Sequence, residues 1–316
     1  MFSRSRMVLP LILLGLAGCG GRSEVVEGGD WRESMREVRM AVRGSEDDPM
    51  ITRRLTAYKE YLAEAVGLPV KLYESSDYNG TIQALSSGQV DMATMAGGSY
   101  ANVDAQIGEL AAPILTIRQA EGDTGYYSAL LVKADSPYRT LQDLRGKTLG
   151  YTDFNSTSGY LFPRSVMRDQ GIDPDKFFGR SSFAGGHTQA VMALENGQFD
   201  ATIIQAGGGD PENGFTTGAH YTMARRGLVD LEDFRIIWTA GPIPNTAVVV
   251  RTDRPQAFVD IVRGATAALP YDDPQTFSDL GQPDGAAYTA VDRSHYAKII
   301  ELRAEDIARR RRGDGP

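Results

Sequence analysis

The stretch GYTDFNSTSGYLFP, residues 150–163, sets three consecutive hydroxyl side chains, Ser156, Thr157 and Ser158, between a strand-like and a helix-like run. Such side chains donate hydrogen bonds without carrying charge. At the start of a helix the first backbone N–H groups have no partner within the helix and point out of its end. Those amides and the helix dipole together make a ready anion site. One hydroxyl would suffice as an N-cap, which Ser and Thr favour in any protein. Three in a row, then Gly159, which lets a ligand approach the backbone, point to an anion held by several donors.

A second feature supports the first. His187 follows Ala184-Gly185-Gly186 and opens the helix-like HTQAVMALENGQ. There an imidazole can donate a hydrogen bond while neutral or carry charge against an oxyanion. Earlier in the chain, SSDYNG (75–80) and GGSYANV (97–103) each fall between a strand and a helix. Tyr78 and Tyr100 could offer a phenol O–H with an aromatic wall, although a tyrosine in such a place more often buries its ring for packing.

Catalytic patterns are missing. The chain has three histidines, His187, His220 and His295, and one cysteine, with no H-E-x-x-H, C-x-x-C, G-x-S-x-G or P-loop. The run GGGD at 207–210 lacks the spacing of a dinucleotide loop. Binding rather than turnover is expected, with no metal and no cofactor.

The elements that must position these residues alternate between strand and helix, as in an α/β protein with mostly parallel sheets. EVRMAV (37–42) reads as a strand, and PMITRRLTAYKEYLAEAVG (49–67) as an amphipathic helix ended by Gly67. PVKLYES follows as a strand, YNGTIQALSSGQ as a short helix, and VDMATMA as a buried strand leading to a small-residue turn, GGSYANV. AAPILTI and the alternating run GYYSALLVKADSP come next. The middle block repeats the pattern: helix TLQDLRG, strand KTLGYT, helix SGYLFPRSVMRDQG, helix HTQAVMALENGQ, buried strand FDATIIQA and the Gly-rich loop GGGDPENGFTTG. FRIIWTAGPIPNTAVVVR reads as two β-rich runs broken by Pro242 and Pro244, and two helices close the chain. Two long β runs, 126–133 and 246–251, bracket a block with its own alternation. That is the pattern of two lobes, 35–126 plus 250–316 and 127–248, joined by two crossing strands with a cleft between them.

At 316 residues, 41% hydrophobic and 23% charged, the chain is long enough for two cores. Residues 1–18, MFSRSRMVLPLILLGLAG, form a basic n-region and a short apolar h-region ending in small residues, a secretion signal. LAGC (16–19) has the form of a bacterial lipobox, which makes Cys19 the lipidated first residue of the mature protein and 19–34 a flexible tether. Removing the leader takes away Arg4 and Arg6 and no acid, leaving 31 basic against 41 acidic residues, a net charge of −10. That balance argues against nucleic acid as a partner. The basic ARRRRG (308–313) reads as favourable charge at a helix C-terminus.

With these segments in order, SSDYNGTIQALSSGQVDMATM, GYYSALLVKADSP, TLQDLRGKTLGYTDFNSTSGYLFP, GGHTQAVMALENGQFDATI and IPNTAVVV, the chain resembles the phosphate/phosphite/phosphonate substrate-binding proteins of ABC importers. The likeness covers most of residues 36–270. It implies a type II periplasmic-binding-protein fold, two α/β lobes hinged by two strands that close on a small oxyanion. By motif position Ser156, Thr157, Ser158 and His187 match residues that hold the phosphonate oxygens, and Tyr78 matches a tyrosine closing from the other lobe. Met95, Ser99, Tyr100, Asn245 and Thr246 are candidate secondary contacts. The resemblance further implies permease and ATPase partners, a monomer, and a periplasmic or cell-surface location held by the lipid on Cys19. Relatives often read WYG where this chain has Thr94-Met95-Ala96. The stretches QAGGG and PNTA lack the carboxylates that would meet a ligand ammonium, and a buried ammonium without a counter-charge is strongly disfavoured. That argues against an aminophosphonate. An apolar wall around Met95 and Tyr78 would favour P–H or P–alkyl over a fourth oxygen, so phosphite or a small uncharged phosphonate is expected ahead of phosphate. A sulfonate, a carboxylate or another small metabolite on the same fold, or presentation of the ligand to a sensor, is the alternative.

Overall fold

The computed structural model describes residues 30–43, 51–75, 77–120, 122 and 125–312. The leader, Cys19 and most of the expected tether lie outside the described residues.

The first half runs β1 (Val38–Arg43), α1 (Ile51–Val66), β2 (Val70–Ser75), α2 (Tyr78–Ser86), β3 (Met92–Met95), α3 (Gly97–Ile107) and β4 (Ala111–Arg118). The middle block contains β5 (Gly125–Lys133), β6 (Thr148–Tyr151), a π-turn (Thr157–Leu161), α4 (Phe162–Asp169), α5 (Pro174–Phe177), β7 (Arg180–Phe183), α6 (His187–Glu195), β8 (Ala201–Gly207), β9 (Thr217–Gly218), α7 (Ala219–Arg225) and β10 (Phe234–Pro244). The chain ends with β11 (Ala247–Arg251), α8 (Gln256–Asp272), α9 (Pro274–Asp279), β12 (Ala287–Ala290) and α10 (Ala297–Arg311).

Two mixed sheets result. One has the order β12-β4-β11-β3-β1-β2, the other β10-β5-β8-β6-β7, with β9 paired to β8. The chain passes between them after β4 and again between β10 and β11. Central strands carry unbroken apolar runs because both faces are covered: all five residues of β11, AVVVR, are buried. Helix α1 shows how sequence fixes an element. Leu55, Tyr58, Leu62 and Val66 recur at helical spacing and are buried as one stripe in the first core. Gly67, at φ 69°, ends the helix where its N–H donates to Ala63 O at 2.9 Å. The second sheet packs its own core, which also takes in Ala101 of α3 and Ile299 and Leu302 of α10. Helix α10 therefore packs against α3 of the first half as well as the π-turn and α4 of the middle block.

The structure departs from the sequence reading in three places. GGSYANV is the first part of α3, not a turn. Its two glycines stand where the helix backbone passes close to other groups: a Cβ on Gly97 would lie 3.2 Å from the Tyr296 ring, and one on Gly98 3.0 Å from Asn155 O. Pro242 does not break the strand: β10 runs through it and ends at Pro244, so the break before β11 falls at 245–246. The strand lies at the sheet edge, where a missing N–H costs no ladder bond, and it shifts register against β5 between Ala240 and Ile243. The helix expected after the hydroxyl run starts as a π-turn before it becomes α4.

Candidate functional site

Strand β6 ends at Tyr151, and the chain then turns sharply. Asn155 N–H donates to Asp153 Oδ1 at 2.7 Å, and Ser156 N–H to Asp153 O at 3.0 Å. Ser156 is the N-cap of the π-turn: its Oγ accepts from Gly159 N–H at 3.0 Å. Gly159 must be glycine, since a Cβ there would overlap the Thr152 side chain. Ser156, Thr157 and Ser158 are all buried, at 1%, 0% and 2% exposure, so none is a solvated surface hydroxyl. The N–H groups of Thr157 and Ser158, first in the turn, have no carbonyl within it to bond.

One of the hydroxyls reaches across to the other sheet. Thr157 Oγ1 accepts from the N–H of Gly98, in the first turn of α3, at 2.7 Å. Beside it Asn102 Nδ2, also on α3, donates to Asn155 Oδ1 at 2.7 Å. The starts of α3 and of the π-turn therefore face each other directly, and a Cβ on Gly98 would press on Thr157 N at 3.2 Å.

His187, first residue of α6, brings in a third helix start. Its Nδ1 accepts from Gln205 N–H on β8 at 3.2 Å, and its Nε2 lies 3.4 Å from Ser156 Oγ. With Nδ1 accepting, a neutral ring carries its proton on Nε2, so the imidazole offers a donor toward the hydroxyl turn. The ring is buried, at 8% exposure.

Sequence reasoning missed Tyr126. It is the second residue of β5, where alternation sends Tyr126 into one core and Tyr127 into the other. Burial pushes its phenol up to about 12, against hydrogen bonds from Ser158 and Thr157 that pull the other way, while nearby Tyr78 adds to the rise. Tyr126 thus belongs with the hydroxyl turn and stays protonated at physiological pH. The signal was present in the strand's period but not in any motif. Tyr78 is the first residue of α2, is buried at 7% exposure, and follows Asp77, which caps Gly80 N–H at 2.8 Å.

The secondary candidates divide. Ser99 sits in the first turn of α3, is 2% exposed, and its Oγ has no hydrogen-bond partner. Thr152 Oγ1 is likewise buried and unpartnered. Tyr100 is packed into the first lobe's core with Met95, edge-on to Tyr296 at 5.6 Å and 70°. Burial pushes its phenol up to about 12. Asn245 holds the crossing between the sheets: its Nδ2 donates to Ile117 O at 3.0 Å and its carbonyl accepts from Tyr296 Oη at 2.8 Å. Thr246 is exposed, and its carbonyl accepts from Thr116 Oγ1 at 2.9 Å. Tyr100 and Met95 thus lie in the first lobe's core, Asn245 is buried and Thr246 exposed where the chain crosses between the sheets, and Tyr78, Ser156, Thr157, Ser158 and His187 lie at helix starts.

Two open cavities, about 420 and 840 Å³, lie elsewhere in the middle block. The first includes Phe215, His220 and Trp238, the second Phe183, Met192 and Phe199. Neither includes a residue of the hydroxyl turn. Helix-start amides, hydroxyls and an imidazole converge at the turn, the kind of donor set a small anion requires. Among the described residues no cluster of His, Cys, Asp and Glu could hold a metal ion, and no helix is long and apolar enough to cross a membrane.

The family model of the periplasmic phosphonate substrate-binding proteins of ABC transporters matches residues 40–296. The chain belongs to this family. Among curated relatives it is 29% identical over 191 residues to the phosphate-import protein PhnD of Mycolicibacterium smegmatis, covering 58% of this chain and 56% of that one. It is 27% identical over 225 residues to the phosphonates-binding periplasmic protein of Escherichia coli, covering 69% of this chain and 62% of that one. The matched segments thus span less than two thirds of these relatives. Among solved structures, PhnD1 of Prochlorococcus marinus in complex with methylphosphonate superposes with a TM-score of 0.68 at 15% identity, over 85% of this chain and 98% of that one. The aliphatic sulphonate-binding protein SsuA of Escherichia coli reaches 0.58 at 13% identity, over 87% and 88%. These likenesses fix the fold: a two-lobed type II periplasmic binding protein.

Proposed function

We propose that this chain is an extracytoplasmic solute-binding lipoprotein that captures a small phosphorus oxyanion between its lobes and delivers it to an ABC permease and its ATPase. The observation that carries the reading is the Ser156-Thr157-Ser158 turn, with Gly98 N–H at 2.7 Å on one side and His187 Nε2 at 3.4 Å on the other. On this reading the turn's amides, its hydroxyls, Tyr78, Tyr126 and His187 replace the water around the anion, and the lobes, 35–126 plus 250–316 and 127–248, close by bending at the two crossings. Ser99, whose hydroxyl is unpartnered, is the strongest secondary contact, with Met95, Tyr100, Asn245 and Thr246 the weaker candidates. The ligand class is phosphite or a small phosphonate without an ammonium group, because QAGGG and PNTA carry no carboxylate to meet one.

A thermal-shift and calorimetric panel of methylphosphonate, phosphite, phosphate, 2-aminoethylphosphonate, sulfate and an alkanesulfonate tests this. A ligand that binds only the folded state raises its melting temperature. Methylphosphonate or phosphite should bind tightest. Tightest binding of the aminophosphonate, phosphate or the sulfonate would overturn the assignment. For the anchor, wild-type protein should partition with membranes through lipid on Cys19, and Cys19→Ala should release it.

A further inference from the structure

Helix α10 lies far downstream of the hydroxyl turn in sequence, yet its side chains grip the residues that lead into it. Arg303 is wholly buried, at 0% exposure, and its Nη2 donates to Phe154 O at 3.1 Å, two residues before the N-cap Ser156. Its guanidinium lies over the Phe154 ring at 4.6 Å, and that of Arg310 lies over the same ring at 3.7 Å. Asp306 ties the group together. Its carboxylate lies 3.5 Å from Arg303 Nη1 and 3.4 Å from Arg310 Nε, and accepts from Tyr160 Oη at 3.4 Å. Arg310 Nη2 in turn donates to Tyr160 Oη, inside the π-turn, at 2.8 Å.

Packing alone does not call for this arrangement. Ile299 and Leu302 already bury the apolar face of α10. A buried guanidinium carries a desolvation cost that an apolar residue of similar size would avoid. Burial holds the Arg303 guanidinium down to about 10, with Asp306 opposing. What Arg303 does that an apolar residue could not is fix the Phe154 carbonyl. The next residues are fixed from α3, through Asn102 on Asn155 and Gly98 on Thr157. Every residue from Phe154 to Thr157 except the cap itself is thus held by α10 or α3, outside the middle block that contains the turn.

Resting on the function proposed above, we infer that α10 is a positioning element of the anion site: Arg303, backed by Asp306 and Arg310, holds the Phe154 backbone so that the Ser156-Thr157-Ser158 donors keep their aim. The test is calorimetry with methylphosphonate and phosphite on the full mature protein, with melting temperatures of the ligand-free forms in parallel. Arg303→Lys keeps the charge but loses the planar fork, and Phe154→Leu removes the ring that both guanidiniums cover. Each should weaken binding about tenfold, on the scale of one hydrogen bond to a charged group. Combining Arg303→Lys with Ser156→Ala should weaken it by less than the product of the single losses, because both act through one turn. A merely stabilising Arg303 would give losses that multiply, or a lower melting temperature with unchanged affinity; either overturns the inference. If Arg303→Lys does not fold, Phe154→Leu and the part-exposed Arg310→Ala decide, and wild-type affinity in both overturns it. A wild-type protein that binds none of the anions fails the proposed function itself, and this inference with it.

Discussion

Replacing Thr157 with alanine removes the acceptor of the Gly98 N–H, at 2.7 Å, and one hydroxyl of the turn. The site is dry, Thr157 being 0% exposed. Losing one partner therefore leaves a buried amide unsatisfied, which costs about 1–3 kcal/mol. If the bond forms as the lobes close on the ligand, that cost falls on the bound state and weakens affinity roughly 5- to 150-fold. Thr157→Ser separates the hydroxyl from the methyl. It keeps the acceptor and gives up one buried methyl, about 0.8 kcal/mol, so it should recover most of the loss. Calorimetry with methylphosphonate reads the affinity, and the ligand-free melting temperature guards against a folding defect. Equal losses in Ala and Ser would mean that Thr157 works by packing. Wild-type affinity in Thr157→Ala would mean that the ligand sits elsewhere.

Tyr126→Phe should weaken anion binding several-fold, since it removes a phenol whose proton affinity Ser158 and Thr157 lower from close by; unchanged affinity in titration calorimetry would remove Tyr126 from the site. Gly159→Ala should abolish binding and lower the melting temperature, because the new Cβ overlaps the Thr152 side chain; a variant that melts and binds like wild type would contradict the geometry of the turn. Burial holds His220 down to about 4 in the folded protein. The unfolded chain, with an ordinary pKa near 6.5, then binds more protons between those values, so stability falls as pH drops from about 6.5 to 4, by up to about 3 kcal/mol. Denaturant melts across that range should show the slope flatten in His220→Gln; an equal slope in both would assign the effect to other groups.

How much of this could be read from sequence depends on how local each feature is. The hydroxyl run announced an N-cap and a helix start because capping is settled within four residues, and Ser156 is that cap. Alternating strands and helices gave the α/β reading because periods of 2 and 3.6 are local too. Gly97-Gly98 misled, since glycine ordinarily marks turns; its reason here is the approach of Tyr296 and Asn155, far away in sequence. Tyr126 looked like any strand tyrosine until β5 was set beside the turn. The run of arginines read as favourable charge at a helix C-terminus, and Arg309, Arg310 and Arg311 do lie in the last turn of α10. What the run did not reveal is that Arg310 also bends back to Tyr160, 150 positions earlier. No local pattern encodes such a partner.

On the proposed reading an acidic chain binds an anion, an apparent conflict that has a physical resolution. Charges spread over the surface are screened within about 8 Å at physiological salt, whereas a hydrogen-bond donor acts at contact. The guanidiniums that border the turn are already engaged: Arg303 and Arg310 with Asp306, Tyr160 and the Phe154 carbonyl, and Arg164 with Asp175. That leaves the oxyanion, on the proposed reading, to amides and hydroxyls whose directions are fixed by three helix starts. Uncharged donors suit a carrier that must also let go. A buried ion pair that is broken leaves an uncompensated charge, but hydroxyls and amides return to water at modest cost once the lobes part. The Gly98 to Thr157 bond, running between α3 and the π-turn, would be among the first to go, and so ties the geometry of the donors to the closure of the cleft.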